Sequence, residues 1–126
     1  MPTVLVVDDE KGMRDVLRRV LEGKGYRVAE AADGNQALAA CRREQPDLVI
    51  SDIIMPDRDG IEAIFAMKAE WPATKVLAIS GGGRAHAMDL LALAPRAGAD
   101  DTLDKPFRQS ELLRRVANLI GEPIQG

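Results

Sequence analysis

Four short apolar runs in the chain each end on a residue that phosphoryl-transfer chemistry can use: Asp8 and Asp9, Asp52, Ser80, and Lys105 followed by Pro106. Carboxylates bind hard cations and can act as nucleophiles, while an ammonium and a hydroxyl suit the charge on phosphoryl oxygens. Asp8 and Asp9 are adjacent, so they repel each other unless a cation lies between them, and an oxygen-only set of ligands suits a metal such as magnesium. Taken alone, the pair reads equally well as negative charge gathered at a helix N-terminus.

Something must bring these scattered residues together, and the hydrophobic pattern supplies it. Val4 to Val7 is a continuous β-branched run, the signature of a strand buried on both faces. From Lys11 the period becomes helical, with Met13, Val16, Leu17, Val20 and Leu21 on one stripe and Gly23 and Gly25 closing it. Tyr26 to Ala31 predicts a second strand, Asp33-Gly34-Asn35 a turn, and Ala37, Leu38 and Cys41 the inner face of a helix stopped by Pro46. Leu48 to Ile50 predicts a third strand, followed by the loop Asp52 to Gly60 and a helix carrying Ile61, Ile64, Phe65 and Met67, ended by Pro72. Val76 to Ile79 predicts a fourth strand. Gly81-Gly82-Gly83 then leads into a weaker helix from Ala85, which Pro95 kinks or ends. Asp101 to Asp104 predicts a fifth strand, and Leu112, Leu113, Val116, Leu119 and Ile120 stripe a last helix.

Five strand-helix units in order predict an α/β fold, a doubly wound five-stranded parallel sheet with helices on both faces. Parallel strands end along one edge, where ligands of open α/β sheets bind, so the four chemical positions converge there. The 126 residues make one domain, with a core of about 3–120 and a fraying tail of 121–126.

A net charge of -3, with 17 basic and 20 acidic residues, gives no basic stripe interleaved with aromatics. Arg18-Arg19, Arg42-Arg43 and Arg114-Arg115 read as solvated helix faces, and no direct nucleic-acid partner is expected. Cys41 is the single cysteine, read as a small buried thiol, which excludes a disulfide framework. No run approaches the roughly 20 apolar residues that span a bilayer. The expectation is a soluble cytoplasmic protein with no membrane partner.

The chain resembles the receiver domains of two-component response regulators from Val4 to about Ile120. The resemblance rests on the acidic pair after the first strand, the D-x-x-M-P-x-x-D-G segment from Asp52 to Gly60, the hydroxyl at Ser80, and Gly98-Ala99-Asp100-Asp101 through Lys105-Pro106-Phe107. It implies a flavodoxin-like strand order 2-1-3-4-5 and a signalling module that catalyses only its own phosphorylation and dephosphorylation. Asp52 would accept a phosphoryl group from the phosphohistidine of a histidine kinase or histidine phosphotransfer protein. Magnesium would be held by Asp9, Asp52 and the backbone carbonyl of Ile54, with Asp8 reaching it through water. Lys105 would pair with the phosphoryl oxygens, Ser80 would move to hydrogen-bond one, and a cis peptide before Pro106 would aim Lys105 at the site.

One departure bears on output. Receivers usually carry an aromatic residue where this chain has Thr102, so a rotating ring cannot be the switch. The segment from Ser80 through Gly81, Gly82 and Gly83 reads either as a flexible turn or as a hinge that reorganises when Ser80 engages the phosphoryl group. His86 reads as incidental, Trp71 as a helix-end packing residue, and Met13, Met67 and Met88 as gap-filling core. The chain reads as a stand-alone receiver or as a piece of a longer regulator, with an unknown protein target. Two competing functions are a phosphate-independent scaffold and a haloacid dehalogenase-type phosphohydrolase. The latter needs a D-x-D on the first strand, where this chain has Asp8-Asp9.

Overall fold

The computed structural model describes residues 2–52, 60–81, 95 and 98–123. Strands β1 (Thr3–Val7), β2 (Arg27–Ala31), β3 (Leu48–Asp52), β4 (Lys75–Gly81) and β5 (Asp101–Lys105) form one sheet in the order β2-β1-β3-β4-β5. Every pairing is parallel. The described helices are α1 (Lys11–Glu22), α2 (Gly34–Glu44), α3 (Gly60–Glu70) and α4 (Gln109–Ile120). The weaker helix expected from Ala85, with His86 and Met88, lies outside the described residues.

Alternation along the strands sorts the core into two layers. Val4 and Val6 of β1 pack with Leu17 and Leu21 of α1 and Leu112 and Val116 of α4. Leu5 and Val7 face the other way, against Ala37, Ala40 and Cys41 of α2 and Ala63, Ile64 and Met67 of α3. Side chains on successive strand residues point to opposite faces, so a run without polar interruptions is what a sheet covered on both sides demands. Burying the thiol pushes Cys41 up to about 11, with the charge of Glu70 acting in the same sense.

The helices depart from expectation at four residues, Val16, Phe65, Asp33 and Arg18. Val16 is 50% exposed and Phe65 is 65% exposed. Each stands one residue before or after a core position, Leu17 or Ile64, and a step of about 100° around the helix carries it off the buried stripe. Asp33-Gly34-Asn35 is not a free turn: Asp33 is the N-cap of α2 and its Oδ1 accepts from the Gln36 amide at 2.8 Å. Arg18 is not merely a solvated charge, because its Nε donates to Glu30 at 2.6 Å and ties α1 to β2. Trp71 does pack against the core at the end of α3, where its amide donates to the Met67 carbonyl.

Candidate functional site

The C-terminal ends of β1, β3 and β5 bring together residues from three distant parts of the chain. The Asp8 amide continues the β1 ladder by donating to the Ala31 carbonyl at 3.1 Å, which places the Asp8 side chain just past the sheet edge. There Asp8 is 1% exposed, and Asp52 at the end of β3 is also buried. Asp9, one step farther out, is exposed. A carboxylate oxygen from each of Asp8, Asp9 and Asp52 lies within 4.8 Å of the others.

Lys105 closes the cluster from β5. Its Nζ donates to Asp8 Oδ2 at 3.2 Å and to Asp52 Oδ2 at 3.3 Å. Burial alone would push the ammonium toward neutrality, but the charges of Asp52 and Asp8 overcome it and hold the Lys105 pKa above the ordinary lysine value. The other oxygen of Asp8, Oδ1, accepts from the Glu10 amide at 2.9 Å. Three carboxylates against one ammonium leave the pocket net negative, with hard oxygen donors close together, and that charge and donor set match a small divalent cation.

Of the remaining sequence-derived positions, those the structure describes lie on β4 and β5 or, for Pro106, directly after β5. In the β3–β4 ladder Asp52 stands opposite Ile79, so the backbone of Ser80 is the next step along the same edge. Gly81 extends β4 and stands opposite Lys105 instead of beginning a turn. The Lys105–Pro106 peptide is cis. Thr102 lies lower on β5, opposite Ala78, and its carbonyl accepts from Arg115. Ile54, Gly82 and Gly83 lie outside the described residues.

Two contacts to the site have no counterpart in the sequence reading. One is the Glu10 amide on Asp8. The other is Arg14, whose Nη1 donates to the Asp8 carbonyl at 2.6 Å while its Nε donates to Glu30 at 3.1 Å. Both contacts involve a backbone group of the loop, so no pattern of side-chain types announces them.

The chain matches the family model of the response regulator receiver domain over residues 4–117. It is 43% identical over 116 residues to the KDP operon transcriptional regulatory protein KdpE of Escherichia coli, covering 92% of this chain and 50% of that protein. It is 34% identical over 118 residues to the probable transcriptional regulatory protein TcrX of Mycobacterium tuberculosis, covering 94% of this chain and 49% of that one. The chain thus spans about half the length of these curated relatives. Among solved structures, the receiver domain of NtrX from Brucella abortus superposes with a TM-score of 0.86 at 33% identity, covering 93% of this chain and 97% of that one. The chemotaxis protein CheY4 of Vibrio cholerae does so with a TM-score of 0.84 at 30% identity, over 94% and 98% of the two chains. With its strand order and acidic edge, the chain belongs to the response regulator receiver domains, the phosphoacceptor modules of two-component signalling.

Proposed function

We propose that Asp52 is the phosphoacceptor of this receiver and that Asp8, Asp9 and Lys105 equip it for magnesium-dependent phosphoryl transfer. The observation that carries this reading is Lys105 bridging Asp8 and Asp52 beside a third carboxylate, so that a nucleophile, a metal-binding set and a fixed cation share one pocket. Asp9, Asp52 and the Ile54 carbonyl would hold magnesium directly, and Asp8 through water. When bound there, the ion would supply positive charge to offset that on the phosphoryl oxygens. An Asp52 oxygen attacks phosphorus, the phosphorus–nitrogen bond of the donor phosphohistidine breaks, and the imidazole leaves with the bonding electron pair. Lys105 pairs with a phosphoryl oxygen as charge moves onto the new acyl phosphate, and Ser80 donates to another.

The donor in this reading is a histidine kinase or a histidine phosphotransfer protein in the cytoplasm. Among the described residues no helix is long and apolar enough to cross a membrane. The stand-alone form finds no support in the matched relatives, whose other half lies beyond the match. In either form the immediate target of this domain is a protein surface, reached through rearrangement after Ser80, since Thr102 offers no ring to rotate.

Incubation with a small phosphodonor and magnesium, followed by intact mass, tests the assignment. The wild type gains one phosphoryl mass and Asp52→Asn, which keeps the shape and removes the nucleophile, gains none. An Asp52→Asn chain phosphorylated at the wild-type rate would sink the proposal.

A further inference from the structure

We infer that Arg14 is a positioning residue for the acidic site: by holding the Asp8 carbonyl it sets the path of the Asp8-Asp9 loop and hence the place of the Asp9 carboxylate. The inference rests on the reading of the pocket as a magnesium-dependent phosphoacceptor site.

At Asp8 the β1–β2 ladder runs out. The Asp8 amide still finds the Ala31 carbonyl, but the parallel register would next set the Asp33 amide against the Asp8 carbonyl, and Asp33 has already left the sheet as the N-cap of α2. The Asp8 carbonyl has therefore passed beyond the regular pairing, and Arg14 Nη1 meets it from the first turns of α1 at 2.6 Å. A hydrogen bond from an ionised donor is short and strong, and it fixes the plane of the Asp8-Asp9 peptide.

The guanidinium is itself well fixed. Its side chain is 16% exposed, and its second arm lies on Glu30 of β2, which Arg18 grips from the other side at 2.6 Å. Glu30 also neutralises Arg14 locally, so the residue acts on the pocket through orientation more than through its charge. With the Asp8 carboxylate held by the Glu10 amide and by Lys105, the loop is fixed at both carboxylate oxygens and at the carbonyl before Asp9 swings over the site. Groups that orient metal-binding carboxylates govern affinity nearly as strongly as the ligands do.

Arg18 provides the control. It binds the same Glu30 and ties the same helix to the same strand, but its hydrogen bonds run to Glu30 and Glu22 and not to Asp8. Arg14→Ala, Arg14→Lys and Arg18→Ala would be compared in the 126-residue chain by magnesium titration followed through amide shifts, and by hydrogen exchange without metal. Arg14→Ala is expected to weaken magnesium binding about tenfold. It should also speed metal-free exchange at Glu10, whose amide caps Asp8. Arg14→Lys should recover part of both, since an ammonium reaches one acceptor but cannot span two. Arg18→Ala should stay within about twofold of wild type.

Equal losses in Arg14→Ala and Arg18→Ala would show Arg14 to be only a brace between α1 and β2, and unchanged affinity in Arg14→Ala would overturn the inference as directly. If Arg14→Ala does not fold, the comparison passes to Arg14→Lys, which must bind magnesium more weakly than Arg18→Ala. A wild type that binds no magnesium refutes the phosphoacceptor reading instead. The Glu10 exchange rates of the variants then still decide whether Arg14 fixes the loop.

Discussion

At the scale of the residue, burial and charge act on Lys105 in opposite senses, and the balance defines what it does. Two carboxylates at 3.2 and 3.3 Å keep it cationic in a half-enclosed pocket. In the proposed reaction the same charge would compete with a divalent ion for the field of Asp8 and Asp52, yet would neutralise a phosphoryl oxygen. Lys105→Met separates the two roles. Magnesium affinity should rise several-fold, while phosphorylation by a small donor should fall about 10²-fold. Lower affinity and an unchanged rate would place the ammonium outside the reaction. Asp8, Asp9, Asp52 and Lys105 could be found in the sequence because each sits at the end of a strand, where topology alone dictates convergence. Arg14 could not, because its role depends on where a carbonyl leaves the ladder and on β2 lying beside β1.

At the scale of the element, the start of α2 shows how turn and cap share a vocabulary. Asp33-Gly34-Asn35 satisfies the residue preferences of a turn, and Asp is equally favoured at a helix N-cap. Gln36 resolves the ambiguity, since its amide donates to Asp33 while its side chain accepts from the amide of Ala32, one residue before the cap, a variant of the capping box. The signal was present three residues downstream of the cap. Asp33→Ala should lower stability by about 1 kcal/mol in denaturant unfolding without affecting phosphorylation. Stripe edges were harder to read: Val16 and Phe65 are as apolar as their buried neighbours, and only the angle at which each helix meets the sheet decides which of them is covered.

At the scale of the molecule, the two ends of the sheet do different work. The end away from the site is stitched shut: Asp47 receives from Thr3 and Lys75, Asp100 from the Val76 amide, and Lys68 Nζ donates to Pro72, Thr74 and Asp100. Gly98 lies over that lysine with φ +117°, and a Cβ there would stand 2.8 Å from Lys68 Cγ. The ammonium is held by three partners, so the side chain cannot swing aside. Gly98→Ala should cost about 1–3 kcal/mol, with magnesium affinity unchanged because the site lies at the opposite end. The site end carries the converse arrangement: three carboxylates face one ammonium, and in the proposed reading a bound cation would offset their mutual repulsion. Asp9 is exposed, and among the described contacts it makes none with Lys105, so its charge adds repulsion with little return in the metal-free chain. Asp9→Asn should therefore melt higher than wild type without divalent cation, by roughly 2–4 °C. Magnesium reverses the order. A ligand at 100 times its Kd stabilises by about 2.7 kcal/mol, and the wild type, with its full carboxylate set, binds more tightly and gains more than the variant. Melting curves across a magnesium series should thus cross; a variant less stable than wild type at every concentration would mean that Asp9 supports the fold instead of straining it.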